Sequence, residues 1–372
     1  MILCMGTTRH KRLDRAQPSS KGTARLSRAE TAGEGFGAAA YIAFAAVTLL
    51  TLLLCVCAGS VRIPLSETAR ICLQAISGKR AAQSDTLAAI LLSMRLPRVL
   101  CVALTGASLS LCGAAMQGLL KNPLADGSTL GVSSGAALGA VLSIAFGITI
   151  PAIPLAGTMG MAMLFALLSL LLILTLAYRL DYSLSTNTIL LLGVIYSMFV
   201  SSIIALITAF AGEKVRHITF WTMGSLSGSG YREALILLAA LAVCGTVLLC
   251  SARELNAFAL GEENARHIGV NVRRVKLTVL ICVSALIGVC VSIGGTIGFV
   301  GLVTPHMARL LTGPNHKRLL PASLFGGAVF LMLADLLSRV LLNPIELPIG
   351  VVTSLIGAIL FLCILYRMRR IV

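Results

Sequence analysis

From Gly127 to Tyr178 the chain runs for 52 residues without a single Asp, Glu, Lys or Arg. In water such a stretch would have almost no surface to offer, because about a quarter of the residues in a soluble domain are charged. Phe36–Ala58 and Val99–Leu120 are also free of charge. A helix needs about 20 apolar residues to cross a hydrocarbon layer of about 30 Å. The long run is therefore two crossings, and Pro151 and Pro154 mark the turn between them. With 57% of its 372 residues hydrophobic and 12% charged, the chain has the composition of an all-α integral membrane protein.

The apolar runs divide into ten spans, over 36–58, 99–120, 128–149, 153–177, 187–211, 234–252, 277–294, 297–311, 319–338 and 347–366. The eighth is short, because Gly294, Gly295 and Gly298 interrupt the stretch that supplies it. Charge decides whether to keep it. With ten spans and both termini in the cytoplasm, 20 of the 30 Lys and Arg fall on the cytoplasmic side, as the positive-inside rule requires. Omitting the eighth span would send Arg367, Arg369 and Arg370 outside. Residues 1–35 then form a basic cytoplasmic tail, and 36–372 a single transmembrane domain. The apolar run after the tail exceeds the 7–15 residues of a signal-peptide core, so it is read as a retained first helix.

Spans 2–5 and 7–10 run in opposite senses, and Leu104–Gly118 and Leu286–Gly301 share a Gly/Ser/Ala rhythm, which suits an inverted repeat. The net charge of +16 does not indicate nucleic acid, because the basic residues lie between spans rather than on one folded surface. Nine of the eleven cysteines lie in or beside the apolar spans with no metal-ligand spacing, as small apolar residues do; no metal site is expected.

Four polar segments interrupt this background. Arg95-Leu-Pro-Arg98 stands at the outer mouth of the second span, where snorkelling anchors with Pro97 at a helix start would explain it. Gln117–Gly135 contains Asn-Pro and Asp-Gly, both turn signals. The loop from Arg253 to Lys276 interleaves charge with Ala259, Leu260, Ala265, Ile268 and Val270, and an apolar stripe on an exposed loop suits a docking partner. The fourth segment runs from Gly294 through Thr304-Pro-His306 to Asn315.

In this order and spacing, the four segments closely resemble the ABC-transporter permeases that import iron-siderophores, heme and vitamin B12. Trp221-Thr-Met-Gly-Ser-Leu-Ser227, Leu320-Pro-Ala-Ser323, Ala334-Asp335 and Glu346–Gly357 extend the likeness, which runs from about Arg95 to Arg367. The resemblance implies a permease of about ten helices in the bacterial inner membrane, paired with a second copy. It implies a cytoplasmic ABC ATPase that carries the ATP and an extracytoplasmic binding protein that delivers the substrate. On this resemblance Arg95, Arg98 and Arg339 would meet acidic residues of the binding protein. Glu262, Glu263, Ala265, Arg266, Gly269 and Val270 would contact the ATPase through the coupling loop at about 253–276. Thr186 and Asn187, in Leu184–Thr188, would form the cytoplasmic gate; the family more often has a second hydroxyl residue where Asn187 stands.

The chain itself is not expected to be an enzyme. It has no G-x-x-x-x-G-K-[ST] loop to cradle a nucleotide, and Gly78-Lys79 lacks the flanking residues. No catalytic residue and no directly bound cofactor is expected. A proton-coupled secondary carrier is the alternative reading, and it needs an ionisable residue at membrane depth. Asp335 is the acidic residue inside the ten spans, and its place four residues before Arg339 is accounted for by an ion pair. Small apolar pathway residues suit a large chelate, with a siderophore first and heme or cobalamin next.

Overall fold

The computed structural model describes residues 35–59, 64–76, 86–148, 156–181 and 185–369. The basic tail up to residue 34, the turn containing Pro151 and Pro154, and Leu184 lie outside the described residues. The described residues form helices and no strand. In chain order these are α1 (Ala38–Cys57), α2 (Leu65–Ile76), α3 (Thr86–Leu120), α4 (Val132–Phe146), α5 (Ala156–Leu180), α6 (Thr186–Phe210) and α7 (Val215–Thr222). There follow α8 (Tyr231–Cys250), α9 (Ala252–Ala259), α10 (Glu262–His267), α11 (Val272–Gly294), α12 (Val300–Thr312), α13 (His316–Val340) and α14 (Ile349–Arg369).

Seven of them, α1, α3, α5, α6, α8, α11 and α13, are long and apolar enough to cross a bilayer. The other three of the ten expected spans fall on α4, α12 and α14. At 15 and 13 residues, α4 and α12 are only about 20 Å long and do not cross on their own. Each is preceded by a stretch that folds back into the bundle. Before α4, a short 3-10 turn at Gly127–Leu130 brings Gly127 against Ile287 and Cys112. The turn expected between spans two and three is thus partly buried at membrane depth. Asp126 goes in with it and caps the turn, its Oδ1 accepting from the Gly127 N–H at 2.6 Å. Asp126 lies beside Gly301 and Leu109, so Asp335 is not the only carboxylate inside the bundle.

Two boundaries move for local reasons. The expected start of the second span at Val99, with Pro97 opening it, is corrected: α3 begins at Thr86 and carries Pro97 in its interior. A π-helical turn at Ile90–Arg95 precedes the proline, and the extra residue in that turn loosens the backbone that an interior proline would clash with. The seventh span begins at Val272 rather than 277, because the Asn271 side chain accepts from the Arg274 N–H at 3.0 Å and caps the helix there. Lys276 therefore belongs to a helix, not to the preceding loop.

The inverted repeat is visible in the packing. Helix α3 lies antiparallel to α11, with Cys112 beside the Val283 carbonyl and Leu109 beside Val291. Gly106 of α3 meets the Gly327 carbonyl of α13, and Gly288 of α11 meets Ala166 of α5 in the corresponding place. Gly193 of α6 faces the Thr129 carbonyl, and Gly350 of α14 faces the Thr296 carbonyl. Exchanging α3–α6 for α11–α14 maps one set of contacts onto the other. At Gly106, an added Cβ would stand 2.3 Å from the Gly327 oxygen, so these backbones approach only because the side chain is absent.

Candidate functional site

The charged side chains of the expected sites lie at the two ends of the bundle. At the end that charge assigns to the cytoplasm, α9 and α10 form a bent arm across the base. Leu255 and Phe258 anchor α9 in the core, and Asn256 fixes its flank. The Asn256 side chain donates to Asn315 Oδ1 at 2.8 Å and accepts from the His316 N–H at 2.8 Å, joining the arm to the start of α13. Gly261, with φ of 118°, makes the bend that α10 follows. Gly269 ends α10 with φ of 89°, while the Val270 N–H reaches the Ala265 carbonyl and the Gly269 N–H the Arg266 carbonyl, both at 3.0 Å. This is a Schellman ending, in which glycine takes the left-handed position.

The six residues expected to contact an ATPase divide by direction. Glu263, Arg266 and Gly269 are exposed and Val270 is half-buried. Ala265 is fully buried and pins α10 to the bundle. Glu262 turns inward to Lys276, whose ammonium lies 2.8 Å from each carboxylate oxygen. The outermost apolar side chains of the arm are instead Leu260 and Ile268, 67% and 64% exposed. Both stand in the interleaved pattern of the sequence, but which members face out depends on the bend at Gly261.

The two expected gate residues open α6. Ser185 caps the helix through the Thr188 N–H, and Asn187 is exposed. The Thr186 hydroxyl donates to Glu262 Oε1 at 3.2 Å, so the start of α6 touches the arm directly.

At the opposite end, Arg95, Arg98 and Arg339 come together as the sequence suggested, but inside the protein: they are 6%, 9% and 4% exposed. Arg98 donates from Nε and Nη2 to Asp335 Oδ1 at 3.0 and 2.9 Å, and from Nη1 to Glu346 Oε2 at 2.8 Å. Arg339 Nε lies 2.9 Å from Asp335 Oδ2, a charge contact rather than an aligned hydrogen bond. The remaining nitrogens reach the end of α1: Arg339 Nη2 to the Cys55 carbonyl at 3.1 Å, and Arg95 Nη1 to the Val56 carbonyl at 3.1 Å. These carbonyls belong to the last turn of α1, where the helix has no internal donors left and partial negative charge collects. The expected i,i+4 pairing of Asp335 with Arg339 is present, and the arginines pin α1, α3 and α13 together instead of snorkelling. A cavity of about 390 Å³ opens over this cluster, lined by Ile90, Met94, Ser227 and Glu346 besides the three arginines.

Comparison with known proteins gives this arrangement a family. An uncharacterized ABC transporter permease protein, YvrB of Bacillus subtilis, is 42% identical over 89% of this chain and 94% of its own. The cobalamin import system permease protein BtuC of Halobacterium salinarum is 39% identical over 76% of this chain and 74% of its own. A solved inward-facing structure, of an ABC transporter assigned to the metal-chelate type, superposes with a TM-score of 0.76 at 30% identity, covering 88% of this chain and 98% of that one. The profile of the FecCD transport family matches residues 47–367, and the chain belongs to that family as a multi-pass membrane permease.

Proposed function

We propose that two copies of this chain form the translocation pathway of an ABC importer for a metal chelate in the bacterial cytoplasmic membrane. A separate ATPase docks on α9–α10, and an extracytoplasmic binding protein delivers the chelate to the opposite end. The observation that carries this reading is the arm itself: Leu260 and Ile268 exposed beside Glu263 and Arg266, with the arm bonded to the start of α6. An exposed apolar pair on a braced, polar-edged arm fits a groove in a partner better than it fits water. The relatives' names support the chelate class, and a siderophore is the first cargo to try.

At the outer end the reading takes a specific form. Arg98 is already paired with two carboxylates, so a carboxylate of the binding protein that seats on it has to replace one of them. Glu346 is the replaceable partner, since its side chain is 39% exposed where that of Asp335 is 1% exposed. Docking then exchanges one carboxylate for another on Arg98 and unseats Glu346 ahead of α14. Asp335, held between two guanidinium groups, is committed to structure and is not the carboxylate that a proton-coupled carrier would use.

The test is uptake into proteoliposomes holding the chain, its ATPase and its binding protein, with labelled ferric siderophore, hemin and cobalamin offered in turn. Accumulation that requires both ATP and the binding protein is expected for one of them. Accumulation driven by a proton gradient without the ATPase would overturn the reading.

A further inference from the structure

We propose that Glu262 is a positioning residue that makes the coupling arm and the gate helix move as one body, with Lys276 as its fixed counter-charge. The inference rests on the reading of α9–α10 as the ATPase-docking arm and of Thr186–Asn187 as the gate. It goes beyond that reading in assigning the physical connection.

Three elements meet at one carboxylate. Glu262 is the first residue of α10, Lys276 lies in the second turn of α11, and Thr186 is the first residue of α6. Lys276 is 1% exposed, and its ammonium lies 2.8 Å from both oxygens of Glu262, a close contact between opposite charges that holds the carboxylate in place. The carboxylate is therefore anchored to α11. Its Oε1 then accepts from the Thr186 hydroxyl, a charge-assisted bond at 3.2 Å directed at the N-terminal turn of α6, where the helix dipole also favours negative charge. About two turns further along, α6 packs closely through Gly193 on the Thr129 carbonyl. That leaves the Thr186–Glu262 bond well placed to steer the first two turns of α6 about this close contact.

The rest of the arm is built to deliver motion to this point. Asn256 ties α9 to α13, and the buried Ala265 with the Schellman ending keeps α10 rigid over its short length. A push on the exposed Leu260 and Ile268 thus reaches Glu262 without being absorbed in the arm. From there it passes to α6 through one hydroxyl.

Thr186→Val keeps the shape and removes that hydroxyl, and Thr186→Ser keeps the hydroxyl and removes a methyl. Nitroxides at His267 and Leu191, both exposed and neither among the docking or gate residues, with accessible native cysteines replaced by serine, report the distance from arm to gate helix by pulsed EPR in the full transporter. The parent is expected to show one narrow distance in both the ATP-bound and nucleotide-free states. Thr186→Val should broaden it and lower transport per ATP about tenfold while ATP hydrolysis continues, and Thr186→Ser should restore both. A narrow distance and parent-like coupling in Thr186→Val would overturn the connection. If the parent neither binds the ATPase nor transports with ATP, the functional reading fails, whereas the EPR comparison on the permease alone in nanodiscs still decides whether the hydroxyl joins α6 to α10.

Discussion

Asp335 receives two guanidinium groups on one carboxylate, and its own side chain is 1% exposed. Removing a single member of a buried ion network costs about 3–5 kcal/mol, because the charges left behind lose their compensation. Asp335→Asn is therefore expected to lower the thermal midpoint of the detergent-solubilised protein markedly, whereas Glu346→Gln, at the exposed edge, should leave it nearly unchanged. Equal midpoints for the two variants would show that the network does not carry the outer end. The sequence suggested one of these contacts, the i,i+4 pair. It gave no sign that Arg98 would share the carboxylate, since the partners stand 237 residues apart and only the antiparallel packing of α3 on α13 joins them. Glu262 followed the same pattern. The family resemblance made it a docking candidate, and its direction is set by a buried lysine in a helix that begins earlier than hydropathy alone implied.

Helices were legible where apolar runs were long and caps were simple. Most spans stand within a few residues of the boundaries that composition indicated. The exceptions each have a cause in backbone chemistry: a π turn before Pro97, an asparagine cap at Asn271, and a fold-back at Gly127–Leu130 that only close glycine contacts permit. The short helix α7, on which Trp221 lies, has no span-length hydropathy and was not anticipated. At this scale the arm offers a direct test. Leu260 and Ile268 already face outward, so Leu260→Ser and Ile268→Ser should cost the isolated permease little. If they seat in the ATPase, each removes about 1–2 kcal/mol of apolar contact and weakens association about tenfold. Titration of the ATPase onto nanodisc-embedded permease measures this, and unchanged affinity in the double variant would move the docking surface elsewhere.

For the molecule as a whole, the repeat sets α6 and α14 in corresponding positions, and both present apolar side chains outward. On α14, Leu355, Ile359, Leu362 and Tyr366 are exposed at spacings of four, three and four, the rhythm of a helix that meets another along a seam. A second copy is expected to close on this stripe. Single cysteines introduced at Leu355→Cys or Ile359→Cys, in a background lacking accessible native thiols, should cross-link copy to copy in native membranes. A cysteine at the buried Val352 should not. Cross-linking through α6 alone would transfer the contact to the other half of the repeat.

The outer arginine cluster also sets a schedule for the chain's birth. Arg98 enters the membrane with α3, but the carboxylate it requires is synthesised 237 residues later. At about 5–20 residues per second, that is an interval of roughly 10–50 s. The backbone carbonyls of α1 are already present to receive Arg95, so the first hairpin has one of its two arginines satisfied from the start. The other waits at the lipid surface for α13. A nascent chain that stops before Asp335 therefore carries Arg98 into the membrane without the carboxylate that α13 supplies.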